Sequence, residues 1–222
     1  MGRGGLVAIY ATVAEFKDWL DDDPRNLVDA QGADTDARLT RILEAASRSF
    51  ETDTGRIFYK QTATTRTYYP DPAGFVQVVD LLSVTSITID ANGDGTPETA
   101  LATTDYRLLP KTGGHGGIAV ARYQRIESEP GSSYRFYNGR PVAIVGDWGW
   151  VETYNGVVRA PADVTTAVLI LASRMMMRRS AKLGRAVIPE SGVSEGLAKA
   201  DPDYQAIVNR YVHPSMAWGL FA

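Results

Sequence analysis

Two amphipathic stretches near the start of the chain predict helices. Thr12 and Glu15 form a capping-box pattern at the beginning of the first one. The apolar residues that follow share one helical face, at Val13, Phe16, Trp19 and Leu20. The second helix is predicted to open at Asp34 or Thr35 and to end at Gly55. Its apolar positions follow helical spacing, at Leu39, Ile42, Leu43, Ala46 and Phe50.

Between Phe58 and Trp150 the spacing and the composition change. β-branched and aromatic residues are interrupted there by glycine, proline, aspartate and asparagine, a pattern typical of antiparallel strands. The predicted strands are Thr62–Tyr69, Val76–Leu81, Ser86–Asp90, Tyr106–Leu109, Ile118–Ala121, Tyr134–Tyr137 and Val142–Trp148. Asn92-Gly93-Asp94-Gly95 is the strongest hairpin signal among them.

Helical spacing returns in the last third of the chain. Pro161 suits the first turn of a helix, and Asp163 complements its dipole. The apolar stripe of this helix is wide, so we expect burial on more than one side; it contains Val164, Ala167, Val168, Leu171, Ala172 and Met175. Residues 180–200 are irregular, and Asp201-Pro202 opens a last short helix.

The order of these elements predicts an α+β fold. Helices from both ends of the chain must cover each other's apolar stripes, so we expect a small helical bundle with an inserted antiparallel β region. The predicted parts are N-terminal helices at 1–57, the β region at 58–150, a long buried helix at 151–179, and a C-terminal segment with a short helix at 180–222.

Composition excludes several classes of protein. The chain has 222 residues, 44% of them hydrophobic and 22% charged, as expected for a folded protein. It has no cysteine and two histidines, which excludes disulfide frameworks and leaves little material for zinc sites. The apolar run at 167–172 is far shorter than the roughly 20 residues of a membrane span. No signal peptide is evident, so we expect synthesis in a reducing cytoplasm and no membrane partner.

Charge is distributed unevenly around a net value of −3. Residues 1–100 carry 9 basic and 16 acidic side chains, and residues 101–222 carry 14 and 10. A basic segment without acids lies near the C-terminus and contains Arg174, Arg178, Arg179, Lys182 and Arg185. These cations either complement the dipole of a helix end or form a surface for an anionic partner.

Familiar catalytic motifs are missing from the sequence. It has no phosphate-binding loop ending in Lys-Ser or Lys-Thr, no paired-histidine zinc helix and no nucleophile elbow. The glycine-rich segment 111–117 lacks the following helix that a phosphate site needs, so we interpret it as a loop between strands.

Asp90, Asn92 and Asp94 match the first ligand positions of a calcium loop. Leu101 stands where such a loop needs a bidentate glutamate, and the flanking segments are predicted strands. We therefore expect a structural turn and no metal, with an ion site as the alternative.

Trp148 and Trp150 flank a single glycine. Their rings would stack on a sugar or base in one interpretation. In the interpretation we favour, glycine lets the strand end turn while both rings pack on neighbours.

Taken in order, several segments resemble the head-tail connector family of long-tailed bacteriophages, also called adaptor or head-completion proteins. The segments are Thr12–Leu20, Leu39–Phe50 with Thr54–Phe58, Leu82–Ile87, Asp105–Pro110, Val145–Trp150, and Ala160–Val164 leading into a helix that ends at Arg178-Arg179. The similarity covers residues 12–212. The β insertion is longer than in the compact members of the family.

The resemblance implies a structural virion protein of the neck, without catalysis or cofactor. Such proteins form a ring of twelve identical subunits beneath the portal protein and extend the channel through which genomic DNA passes. Their far face receives a stopper or tail-completion protein. The implied location is the virion neck, after assembly in the host bacterial cytoplasm. A net acidic chain agrees with a channel that does not grip phosphates or read sequence.

The predicted portal-docking residues combine the basic segment with apolar residues at the chain end: Arg174, Arg178, Arg179, Lys182, Arg185, Tyr204, Ile207, Tyr211, Trp218 and Phe221. We expect the apolar members to be exposed anchors, and the alternative is that this tail folds back on its own subunit. Two other functions remain open: a calcium- or carbohydrate-binding β module carried on helices, and a hydrolase with an unrecognised carboxylate site.

Overall fold

The computed structural model describes residues 8–21, 34–110, 122–180, 185–187, 194–196 and 201–213. For residues 21, 34, 35, 177–180, 185–187 and 194–196 it describes the backbone alone. Four helices and a six-stranded antiparallel sheet in this part confirm the α+β class. The chain divides into a helical unit, Met1–Phe58 with Ala160–Ala222, and a sheet unit, Tyr59–Arg159. None of the described helices is long and apolar enough to cross a membrane.

The helical unit contains α1 (Val13–Asp21), α2 (Asp34–Thr54), α3 (Ala162–Ser180) and α4 (Pro202–Tyr211). It also contains two short antiparallel strands, β9 (Arg185–Val187) and β10 (Ser194–Gly196), in a region predicted to be irregular. The predicted capping box is confirmed: the Glu15 N–H donates to Thr12 Oγ1 at 3.1 Å, and the Thr12 N–H donates to Glu15 Oε2 at 2.7 Å.

Helix α3 is the centre of the helical core. It packs against α1, α2 and α4, and its buried residues extend beyond one face, which confirms the expectation from its wide apolar stripe. These residues are Val164, Ala167, Val168, Leu169, Ala172 and Met176. Leu171 and Met175, predicted on the same stripe, are only half-buried.

Five aromatic rings form the part of the helical core near the C-terminal end of α2. Phe58 contacts Phe50 and Tyr211 with ring centroids 5.2 and 5.4 Å apart, and Tyr10 at 5.7 Å. Tyr204 meets Phe50 edge to face at 6.0 Å. Residues from both ends of the chain therefore build one core.

The described residues of the sheet unit form eight strands: β1 (Gln61–Tyr68), β2 (Phe75–Ile89), β3 (Thr99–Ala100), β4 (Tyr106–Leu109), β5 (Tyr123–Ser128), β6 (Val142–Trp148), β7 (Glu152–Tyr154) and β8 (Val157–Arg159). The main sheet has the order β1-β6-β2-β5-β4, and β3 pairs with β2. Its core contains Val76, Leu81, Ile87, Ile126, Ile144 and Trp148, each of them fully buried.

Three of the predicted strands differ from the structure. Val76–Leu81 and Ser86–Asp90 belong to the single strand β2, whose pairing with β5 and β6 continues across bulges. Strand β5 was not predicted, and Tyr134–Tyr137 is not a strand. Ile118–Ala121 and the glycine-rich segment 111–117 lie outside the described residues. The sheet unit also runs to Arg159, beyond the predicted boundary at 150, because the hairpin of β7 and β8 follows β6.

Candidate docking surface

Asp201 begins α4 and attaches it to α3. Its Oδ1 accepts from the backbone N–H groups of Asp203 and Tyr204, at 2.9 and 3.3 Å, as an N-cap. Its Oδ2 accepts from Arg174 Nη2 at 2.6 Å. The Arg174 side chain is 20% exposed in this pair. The first cation of the predicted docking set therefore holds α3 and α4 together.

Tyr204 and Tyr211 are core residues of the helical unit. They are 4% and 7% exposed, and their hydroxyls donate to carboxylates of other helices, Tyr204 to Asp53 Oδ2 and Tyr211 to Asp163 Oδ1, both at 2.6 Å. Burial, followed by the bond to Asp53, raises the pKa of Tyr204. The expectation that these two tyrosines are exposed anchors is wrong, because their own chain covers them.

The remaining members of the predicted set divide into three groups. Ile207 lies half-buried on α4. Arg178 and Arg179 lie in the last turn of α3 and Arg185 opens β9, with backbone positions alone described. Lys182, Trp218 and Phe221 lie outside the described residues.

The last described residues are held against the C-terminal end of α2. The His213 N–H donates to the Thr54 carbonyl at 2.8 Å, and Arg56 Nε donates to the Tyr211 carbonyl at 2.7 Å. Both acceptors are carbonyls at helix ends, which lack partners within their own helices. The position at which the chain leaves α4 is thus set by hydrogen bonds to the segment 54–56.

A partly buried polar cluster attaches the N-terminal segment to α2. The Tyr10 hydroxyl donates to Glu51 Oε1 and accepts from the Phe58 N–H at 3.0 Å. Arg48 pairs with Glu51 Oε2 at 2.6 Å. Burial raises the pKa of Glu51, against the opposing effects of Tyr10 and Arg48. Glu51, whose pKa is raised, therefore takes part in the contacts that join the N-terminal segment to α2.

In the sheet unit, the Asp90 segment forms a turn between β2 and β3. Asp90 is 3% exposed, and both its carboxylate oxygens accept backbone N–H groups, those of Gly93 and Gly95. Asp94 and Glu98 bring carboxylate oxygens within 4.8 Å of it, whereas Asn92 is occupied by a bond to Asp94. The backbone bond from Thr96 lowers the pKa of Asp94. The arrangement is that of the predicted structural turn.

The two tryptophans pack as predicted. Trp148 is fully buried, stacks on Tyr68 with ring centroids 5.8 Å apart, and donates from Nε1 to the Thr64 carbonyl at 2.8 Å. Trp150 lies under the Arg122 guanidinium at 3.5 Å. Gly149 between them has φ +133°, and a Cβ there would lie 2.1 Å from the Tyr59 carbonyl oxygen. Both the positive φ and the lack of space for a Cβ require glycine at position 149.

One surface element was missed by the sequence analysis, the hairpin of β7 and β8. Its turn residues Asn155 and Gly156 have φ +50° and +77°, the conformation of a two-residue hairpin. An Asn-Gly pair between residues that favour strands, Thr153-Tyr154 and Val157-Val158, is the signal that predicts such a turn. Tyr154, Val157 and Val158 are 57, 62 and 47% exposed on this hairpin.

Comparison with protein-family models and with curated proteins finds no match. Among solved structures, the chain is similar to one from the "Neck of empty GTA particle computed with C6 symmetry". The two chains are 22% identical, the similarity covers 91% of this chain and 89% of that one, and the TM-score is 0.46. An identity and a TM-score this low carry no inference about function.

Proposed function

We propose that this chain is a structural subunit of a bacteriophage neck, a ring-forming adaptor that docks on the portal protein. In this role it extends the channel for genomic DNA and offers its far face to a stopper or tail-completion protein. Genomic DNA passes through this channel without sequence-specific binding, and the subunit performs no catalysis. The ring of twelve subunits and the virion location follow from the family that the sequence resembles.

One observation carries the proposal: the segments that resemble the connector family occupy the main elements of the fold. Thr12–Leu20 covers the start of α1, and Leu39–Phe50 lies within α2. Leu82–Ile87 and Val145–Trp150 fall on β2 and β6, which pair in the middle of the sheet. Ala160–Val164 begins α3. The ordered resemblance thus falls on elements that pack within the helical unit or within the sheet unit.

We place the portal contact on the basic end of α3 and on the chain beyond His213. Arg174 is paired with Asp201, and Tyr204 and Tyr211 are buried, so these three residues support the docking surface from within. The contact itself is assigned to the remaining cations and to the apolar residues at the chain end: Arg178, Arg179, Lys182, Arg185, Trp218 and Phe221. Ile207, half-buried on α4, remains part of the proposed set. Large aromatic anchors among cations suit an acidic protein surface.

The direct experiment is electron microscopy of the purified chain mixed with the portal protein. We expect a coaxial ring on the portal. Deleting residues 214–222 tests the assigned contact, because the deletion leaves α4 and its polar contacts in place. The truncated protein should keep the thermal unfolding of the full chain and lose portal binding. Failure of the full chain to form a ring on the portal protein, at every concentration tested, would contradict the proposed function.

A matched control is Gln205→Ala, a substitution on α4 outside the assigned contact. It should bind portal as the full chain does. If the truncated protein completes infectious particles as well as the full chain, the contact lies elsewhere on the subunit.

A further inference from the structure

The hairpin of β7 and β8 exposes apolar side chains on both of its faces. Tyr154 pairs with Val157 across the strands, and Thr153 pairs with Val158. Successive residues of a strand point to opposite faces, so Tyr154 and Val157 lie on one face and Val158 on the other. Among the described strands, β7 and β8 pair only with each other. An isolated two-stranded hairpin is marginally stable in water, so an enclosing partner would stabilise it.

The charges of the hairpin indicate what kind of partner encloses it. Arg159 Nε pairs with Glu152 Oε1 at 3.2 Å, and the Arg159 guanidinium lies 4.4 Å from the Tyr154 ring centroid. The element therefore carries no net charge. A neutral hairpin with an aromatic tip does not suit a DNA backbone, whose binding depends on uncompensated cations. It suits a groove in another protein, with an apolar floor and a rim of both charges.

The sheet unit contains a groove with these properties. It has a volume of about 330 Å³, within the range of sites that hold a side chain or small ligand. Phe75, Pro130 and Phe136 line its apolar part, and Arg125 covers Phe75 at 3.7 Å. Arg125 is itself paired with Glu127.

The rim of this groove carries two charged side chains of opposite sign, Glu129 and Arg135. Neither makes an ion pair with any residue that the structure describes, and Arg135 Nη1 donates hydrogen bonds to the Ser132 and Tyr134 carbonyls. Their signs are opposite to those of Arg159 and Glu152 on the hairpin. A hairpin entering the groove tip first would bring its Arg159–Glu152 ion pair to the rim, where Glu129 would add a second partner for Arg159 and Arg135 a second partner for Glu152. The Tyr154 ring would then lie against the apolar floor.

We propose that the hairpin of one subunit inserts into this groove on a second copy of the chain. The inference rests on the proposed ring, since two different surfaces of the same chain that join head to tail generate a closed ring when the rotation closes. The contact is too small to hold two subunits by itself, because stable interfaces bury about 800 Å² per partner. It therefore acts together with other contacts in the assembled ring and orients neighbouring sheet units.

Cysteine cross-linking tests the contact directly, because the chain has no cysteine of its own. The variant Tyr154→Cys/Ala73→Cys places one thiol on the hairpin tip and one at the groove. Under mild oxidation of assembled rings we expect a ladder of disulfide-linked multimers. Mixing the two single variants should give cross-linked dimers. The control pair Tyr154→Cys/Thr96→Cys, with Thr96 in the exposed turn after β2, should give no ladder.

A second measurement separates the contact from folding. Tyr154→Ser/Val158→Ser changes exposed residues alone, so the thermal unfolding midpoint should stay within a degree or two of the parent chain, while subunit association weakens at least tenfold. Unchanged association would overturn the inference. So would a disulfide within one chain, or a cross-link to a different neck protein.

The two proposals fail in distinguishable ways. Rings that form on the portal without the cross-link ladder leave the proposed function standing and overturn the hairpin contact. A wild-type chain that never assembles, with or without portal, overturns both.

Discussion

The Tyr204 hydroxyl donates a hydrogen bond of 2.6 Å to Asp53 Oδ2, although the two residues are 151 positions apart in the sequence. This bond joins α4 to the last turn of α2. Together with the ring contact between Tyr204 and Phe50, it makes the C-terminal helix part of the body of the helical unit. A docking surface near the C-terminus is therefore built on a helix that its own chain already holds in place.

The first prediction separates the two contributions of Tyr204 to stability. Tyr204→Phe removes the bond to Asp53 and should lower the free energy of unfolding by about 1 kcal/mol, since Asp53 is exposed and water replaces its partner. Tyr204→Ala also empties a buried ring site and should cost about 3–5 kcal/mol. Chemical denaturation measures both. Equal losses for the two variants would show that ring packing contributes nothing.

The second prediction concerns the N-terminus of α1. Thr12→Ala removes the side-chain acceptor for the Glu15 N–H and should destabilise the helical unit by about 1 kcal/mol. Thr12→Ser keeps the acceptor and should unfold at nearly the same denaturant concentration as the parent chain. An alanine variant as stable as the serine variant would contradict a role for the cap.

The third prediction tests the central position of α3. Val168→Asp places an uncompensated charge at a fully buried site and should cost about 3–5 kcal/mol, enough to unfold a marginal unit. Ala162→Asp is the matched control, because residue 162 is exposed at the N-terminus of the same helix, where an acid is favourable. Circular dichroism of the two variants should differ sharply. A folded Val168→Asp protein would show that solvent reaches this face of α3.

The fourth prediction concerns the close approach of β2 and β6. A Cβ at position 146 would lie 2.2 Å from the Ser83 carbonyl oxygen, so Gly146→Ala must force the two backbones apart. We expect a loss of about 3 kcal/mol, at the upper end of overpacking effects. Val145→Ala, one residue away and half-buried, should cost clearly less. Thermal unfolding of the two variants in parallel gives the comparison.

The fifth prediction is a pH dependence at Asp147. The hydrogen bond from Lys60, at 2.8 Å, and that from the Ala63 N–H, at 3.0 Å, lower the pKa of this carboxyl. A lowered pKa means that the folded chain binds the proton less readily than the unfolded chain. The stability contribution of Asp147 is therefore fully present above its ordinary pKa range and is lost as the pH falls through the folded value.

Asp147→Asn should remove this part of the acid-side slope in a plot of unfolding free energy against pH. Lys60→Met should reduce the slope and leave the Ala63 contribution. If the slopes of all three proteins coincide, Asp147 is not among the groups that govern acid stability.

Local signals in the sequence were sufficient for the helix boundaries and for several turns. The residues at the helix ends act through contacts with neighbours a few positions away, so their local patterns specify where each helix begins or ends. Examples are Thr12 with Glu15, Asp201 with Pro202, and Gly55. The Asn-Gly pair at 155–156 belongs to the same class, and its hairpin was predictable from the sequence. The fold class followed as well, because the hydrophobic period changes twice along the chain.

What covers an apolar or charged residue was decided by the tertiary structure alone. The apolar stripe on α4 must be covered by some surface. The sequence pattern does not distinguish a partner protein from the chain's own α2 and α3 as that surface. Arg174 likewise looks like a free cation until the fold brings Asp201 to it from 27 residues away. The single strand β2 arises for a similar reason, since its bulges are stabilised by strands on both sides. Short-range hydrogen bonds are encoded within a few residues, whereas burial depends on which distant segments pack together.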